Sequence, residues 1–147
     1  MFYFAYGYNM KTERLKERVG EVNIIGKAIL KNHCLKFNKL GDDGSGKANI
    51  EPMVGSVVEG VLFDLTEEQL KKLDTKEGVP THYVRCRMEV IESDNNARMA
   101  EVYVANQDKI RSGLKPNHQY LQCLIEGANE HNLSNQYKKF LTSFKSV

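Results

Sequence analysis

Two short stretches of this chain carry residue types at a spacing suited to chemistry. Tyr6-Gly7-Tyr8-Asn9 ends an aromatic run that begins at Phe2 and precedes a polar, helix-like stretch. A glycine there permits a sharp turn with φ > 0. Such a turn points successive backbone N–H groups toward an anion or a developing oxyanion; the other reading is a plain strand-to-helix turn with no ligand. Asp74-Thr75-Lys76-Glu77-Gly78-Val79 sets a carboxylate before a glycine, between a short helix and a strand. That is a position for general acid/base work, and equally one where an exposed loop glutamate is commonplace. Tyr83 and Tyr120 read as half-buried aromatics, whose phenols meet a ligand only if a pocket receives them.

Other chemistries lack their signatures. There is no G-x-S-x-G, Walker loop, H-E-x-x-H or G-x-G-x-x-G. His33, His82, His118 and His131 are not paired at helical spacing, so metal ligation has no support and no metal or organic cofactor is expected. Gly41 to Gly46 is glycine-rich, but Asp42 and Asp43 would repel a phosphate, which leaves a turn. Cys34, Cys86 and Cys123 are far apart and odd in number, the pattern of reduced thiols in a cytoplasmic protein.

The elements that must position these residues follow from periodicity. In 147 residues, 41% are hydrophobic and 27% charged, an ordinary globular composition for one domain, 1–147. Lys plus Arg is 21 and Asp plus Glu is 19, a net charge of +2, which gives no footprint for nucleic acid or an anionic membrane. Phe2 to Tyr6 reads as a buried strand. A short helix follows, with Asn9 or Thr12 as N-cap and Gly20 at its end. Val22 to Leu40 is β-rich. Ala48–Ile50 is a strand ended by Pro52, and Val57 to Leu65 is another in which Gly60 marks a bulge or close approach. Thr66 with Gln69 forms a capping box, opening a helix that gives way to a loop from Asp74 to Thr81. Residues 84–90 and 99–105 pair as a hairpin, the first with Arg85, Arg87 and Glu89 on a wet face. Two helices close the chain, behind Pro116-Asn117 and behind Ser134. The class is α+β, a curved, mainly antiparallel sheet or barrel with helices late in the chain.

In this order the segments resemble the gamma-glutamylcyclotransferase-like family, which includes the plant AIG2-like proteins. Phe4-Ala5-Tyr6-Gly7-Tyr8-Asn9-Met10 is similar to its F-A-Y-G-S-N-[LM] signature, and Val58-Glu59-Gly60-Val61-Leu62-Phe63 to its central V-x-G-x-[VL]-[FWY] strand. Leu73 to Val79, followed by Tyr83, resembles its L-D-x-x-E-G…Y segment, and Tyr120 to Ala128 the Y-x-x-x-[IL]-x-x-G-A helix of the true cyclotransferase branch. The resemblance implies a small barrel of about six strands with flanking helices and a cavity at one end. It also implies conversion of a γ-glutamyl compound into 5-oxoproline and a free amine or amino acid. Glu77 matches the family's acid/base; Tyr6, Gly7, Tyr8 and Asn9 match its substrate-cradling loop; Tyr83 and Tyr120 match pocket tyrosines. Tyr8 departs from the family's serine, and the stretch from Glu77 to Tyr83 is a residue short.

The implied partner is a small γ-glutamyl molecule, with no nucleic acid and no membrane; a homodimer is left open. The reaction suits a chain without a nucleophile motif. The substrate's α-amine attacks its own γ-carbonyl, and intramolecular attack of this kind has effective molarities of roughly 10⁵–10⁸ M. The alternatives are a γ-glutamylamine or deblocking cyclotransferase, which Tyr8 favours, and a non-catalytic binding protein on the same barrel.

Overall fold

The computed structural model describes residues 1–147. Strand β1 (Phe2–Ala5) leads through a 3-10 turn at Tyr8–Met10 into helix α1 (Thr12–Val19). Two long strands follow, β2 (Asn23–Leu40) and β3 (Gly46–Asp64), then helix α2 (Glu67–Glu77), strands β4 (Tyr83–Glu92) and β5 (Ala97–Ala105), and helices α3 (His118–Glu130) and α4 (Asn135–Thr142). The strands form a closed barrel in the order β1-β3-β2-β4-β5. All neighbours are antiparallel except β5 with β1, which closes the barrel in parallel at Tyr3 and Glu101.

The mainly antiparallel barrel with flanking helices is the architecture implied by the sequence, but it closes on five strands. The segments expected as Ala48–Ile50 and Val57–Leu65 are one strand, β3, running through Pro52. The ladder steps from Pro52 opposite His33 to Val57 opposite Lys31. The residues between, 53–56, are extruded opposite Asn32, which takes φ 59° and accepts the Gly55 N–H at 3.0 Å. Proline has no N–H to give a ladder, and a bulge is where a strand tolerates it.

The barrel interior is filled by alternating inward residues, with Phe4, Val58, Leu62 and Val102 fully buried. Gly60 is a close approach, as its place in an apolar strand suggests. A Cβ there would lie 2.4 Å from the Ala5 carbonyl oxygen and 2.8 Å from the Phe4 ring. Helix α1 ends at Gly20 as expected, but its start differs. Lys11 is the N-cap position and makes no side-chain cap. The Thr12 N–H is served from the end of α3 instead, where Glu130 accepts it at 3.2 Å, and His131 Nε2, just beyond, lies 3.0 Å from the Thr12 hydroxyl. Asn9 is thereby released from capping.

Candidate active site

Glu77 is placed by helix α2. Thr66 and Gln69 form the reciprocal capping box at its start, and Leu70 and Leu73 are its buried residues. The expected loop from Asp74 is helical as far as Glu77, because the turn comes at Gly78, in the left-handed region at φ 70°, ψ 39°. Asp74 ties this end of the helix to the barrel. It accepts from the Tyr103 hydroxyl at 2.6 Å and pairs with Arg85 Nε at 3.0 Å, and Arg85 also reaches Glu101 at 2.7 Å. Arg85 is thus half-buried in a network and not on a wet face.

One Glu77 oxygen, Oε1, accepts from Asn9 Nδ2 at 2.9 Å and from Arg18 Nη1 at 3.3 Å. The other oxygen accepts nothing within the chain. The side chain is 16% exposed. Burial pushes its carboxyl above the ordinary range, against the opposing pull of the Arg18 charge, the Asn9 hydrogen bond and Lys39. A carboxyl raised in the folded state binds a proton that the unfolded chain has already released. Stability therefore falls as pH rises from the ordinary carboxylate value, about 4, through the raised one. Glu77→Gln has no such proton to lose. Its melting temperature is expected to gain on wild type across that window, and parallel pH profiles would contradict a raised carboxyl.

Asn9 is 3% exposed and its Nδ2 also donates to the Tyr3 hydroxyl at 2.9 Å, which orients the amide toward Glu77. Gly7 does not need φ > 0: it sits at φ −127°, ψ −129°, where a Cβ would press on the Ala48 Cβ at 3.1 Å. The requirement is space, not handedness. The Gly7 N–H makes no hydrogen bond within the chain. Tyr6 turns its hydroxyl to the Tyr103 carbonyl. Tyr8 stacks on Tyr120 with ring centroids 5.9 Å apart, and the Arg18 guanidinium lies 4.8 Å from the Tyr8 centroid. Tyr83 and Tyr120 converge on Ala48: the Tyr83 hydroxyl donates to its carbonyl at 2.8 Å, and the Tyr120 oxygen accepts its N–H at 3.0 Å.

All seven expected site residues, Glu77, Tyr6, Gly7, Tyr8, Asn9, Tyr83 and Tyr120, line one cavity of about 420 Å³. Several lining residues were not singled out from the sequence: Tyr3, Arg18, Lys39, Asp42, Lys47, His82 and Tyr103. Arg18 had a signal, three residues after buried Leu15 on the same helical face. Asp42 belongs to the loop read as a plain turn, yet that loop borders the cavity. No group of three or more His, Cys, Asp or Glu side chains is arranged to hold a metal ion, and no helix is long and apolar enough to cross a membrane.

The model of the AIG2-like family matches residues 57–141. The bovine gamma-glutamylcyclotransferase is 30% identical over 97% of this chain and 78% of its own length. The chain belongs to the AIG2-like, gamma-glutamylcyclotransferase-like family. The human gamma-glutamylcyclotransferase is 28% identical over the same shares of the two chains. A solved gamma-glutamyl cyclotransferase superposes with TM-score 0.93 at 26% identity, covering 100% of this chain and 89% of that one. The gamma-glutamylcyclotransferase-like barrel thus accounts for the whole described chain, with the cavity at the C-terminal end of α2 and the turn after β1.

Proposed function

We propose that this chain is a gamma-glutamyl cyclotransferase, releasing 5-oxoproline and a free amino acid or amine from a γ-glutamyl compound, with Glu77 as acid/base. The observation that carries this reading is the state of Glu77: a half-buried carboxylate lining the cavity, with one oxygen anchored by Asn9 and Arg18 and the other without a partner in the chain. The open oxygen takes a proton from the substrate's α-ammonium. The freed amine attacks the γ-carbonyl, Glu77 gives its proton to the departing nitrogen as the lactam C–N bond forms and the amide C–N bond breaks, and the second proton of the attacking nitrogen passes by the same carboxylate to the released amine, which leaves as an ammonium. The unpaired Gly7 N–H is a donor for the developing oxyanion. Tyr6, Tyr8, Asn9, Tyr83 and Tyr120 shape the space in which the substrate folds back on itself.

The test is incubation with a panel of γ-glutamyl dipeptides and γ-glutamylamines, followed by assay of 5-oxoproline. Product from the dipeptides supports the reading, product from the amines alone supports the γ-glutamylamine alternative, and no product from any member points to a binding protein. Tyr8 bears on the choice. Its ring forms part of the cavity wall between Tyr120 and Arg18, so Tyr8→Ser is expected to alter relative rates across the panel while leaving the proton path in place. Identical ratios in both proteins would show that Tyr8 does not shape the site.

A further inference from the structure

Two charged side chains are buried, Glu101 at 8% and Lys39 at 5% exposure. Glu101 is paired with Arg85, whereas Lys39 has no ion pair with any carboxylate of the chain. A buried ammonium without a counter-charge is costly. Lys39 also stands where β2 is expected to supply an apolar residue. Leu35, Phe37 and Lys39 share the inward parity of the strand and are all buried, at 3%, 5% and 5% exposure.

Its one hydrogen-bond partner is a neutral acceptor. Lys39 Nζ lies 2.8 Å from His82 Nδ1, and both residues line the cavity. Burial and the nearby Lys39 and Lys109 charges hold His82 below the ordinary histidine range, which keeps it able to accept. His82 packs against Gly78, where a Cβ would come within 2.7 Å of the ring, so the imidazole is seated beside the helix end that carries Glu77. An ammonium has three donors, and His82 uses one. The other charges facing Lys39 are Asp42 and Glu77, which favour its cation, and Lys47 and Lys109, which oppose it. Burial outweighs them and draws Lys39 below the usual lysine range.

We propose that Lys39, oriented by His82, binds a carboxylate of the ligand in this cavity. The proposal rests on the cyclotransferase reading for the identity of that ligand. Such a ligand offers two carboxylates, the one on the glutamyl α-carbon and the one on the departing amino acid. Bound there, either supplies the missing counter-charge and takes the free ammonium donors.

The experiment uses N-glutaryl-alanine, which has both carboxylates but no α-amine and so cannot cyclise. It is titrated calorimetrically into wild type and Lys39→Met, alongside its two monoamides, one amidated at the glutaryl end and one at the alanine end. Lys39→Met is expected to weaken N-glutaryl-alanine by about 10- to 100-fold, the loss of a hydrogen bond to a charged group. The monoamide that wild type and Lys39→Met bind equally identifies the carboxylate that Lys39 holds. Lys39→Arg, which keeps the charge, should retain most of the affinity. Equal affinity of wild type and Lys39→Met for N-glutaryl-alanine overturns the proposal, as does absence of binding to wild type. Should Lys39→Met not fold, wild type decides alone: amidation at neither end weakening binding also overturns it. None of these readouts requires turnover, so 5-oxoproline formation with an indifferent Lys39 refutes this inference only, and carboxylate binding without 5-oxoproline refutes the catalytic reading only.

Discussion

Replacement of Glu77 by Gln is expected to lower 5-oxoproline formation by about 10²–10⁴-fold, the usual worth of general acid–base catalysis, with the fold intact. The substitution is nearly isosteric. The glutamine carbonyl can still accept from Asn9 and Arg18, which now hold Oε1 at 2.9 and 3.3 Å. Helix α2 keeps its capping box, its buried Leu70 and Leu73, and its Asp74 tether. Only the exchangeable proton is lost. The measurement is the single-turnover rate with a γ-glutamyl dipeptide that wild type converts, with circular dichroism as the control for folding. A near-normal rate would remove Glu77 from the mechanism and with it the observation on which the functional reading stands.

The second large effect is expected from Gly60→Ala, on stability. The added methyl would meet the Ala5 carbonyl oxygen at 2.4 Å and the Phe4 ring at 2.8 and 2.9 Å. The ring can tilt, but the carbonyl belongs to a strand whose residues pair directly with β3, Ala5 opposite Val61. Overpacking of this kind costs about 1–3 kcal/mol, and a backbone obstacle puts this case near 3 kcal/mol. That lowers the melting temperature by roughly 6–12 °C in a chain of this size. Ala5 also leads directly into the Tyr6–Asn9 turn, so the strand can yield only by carrying that turn with it. An unchanged melting temperature would show that β1 and β3 separate at no cost.

What was legible in the sequence divides along the range of the interactions. The capping box at Thr66, the Ser134 and Asn117 caps and the end of α1 at Gly20 are local, and each stands in the structure where residue type predicts it. Asn9 shows the limit. Its type and position suit an N-cap, but Glu130 and His131, more than a hundred residues away, serve the helix start and leave Asn9 for Glu77. Pro52 shows another: a proline ordinarily stops a strand, and only the extrusion of 53–56 opposite Asn32 lets β3 continue. Arg18 and Lys39 were not singled out, because a charged residue ordinarily lies at the surface and residue type masks strand parity and helix face. Their convergence on the cavity, one from α1 and one from β2, is set by contacts no local window contains.

Six of the seven tyrosines, Tyr3, Tyr6, Tyr8, Tyr83, Tyr103 and Tyr120, border the cavity, and the chain has no tryptophan. Only Tyr137 lies elsewhere, buried on α4. The intrinsic tyrosine fluorescence of this protein therefore comes almost wholly from the walls of one chamber. Burial holds the hydroxyls of Tyr3, Tyr6, Tyr83, Tyr103 and Tyr120 well above the ordinary phenol range, so these rings stay neutral as the solution is made alkaline. A small molecule entering the chamber changes the surroundings of nearly every chromophore at once. The unlabelled protein is thus its own optical sensor of occupancy, and its emission reports on the site with little background from the rest of the fold.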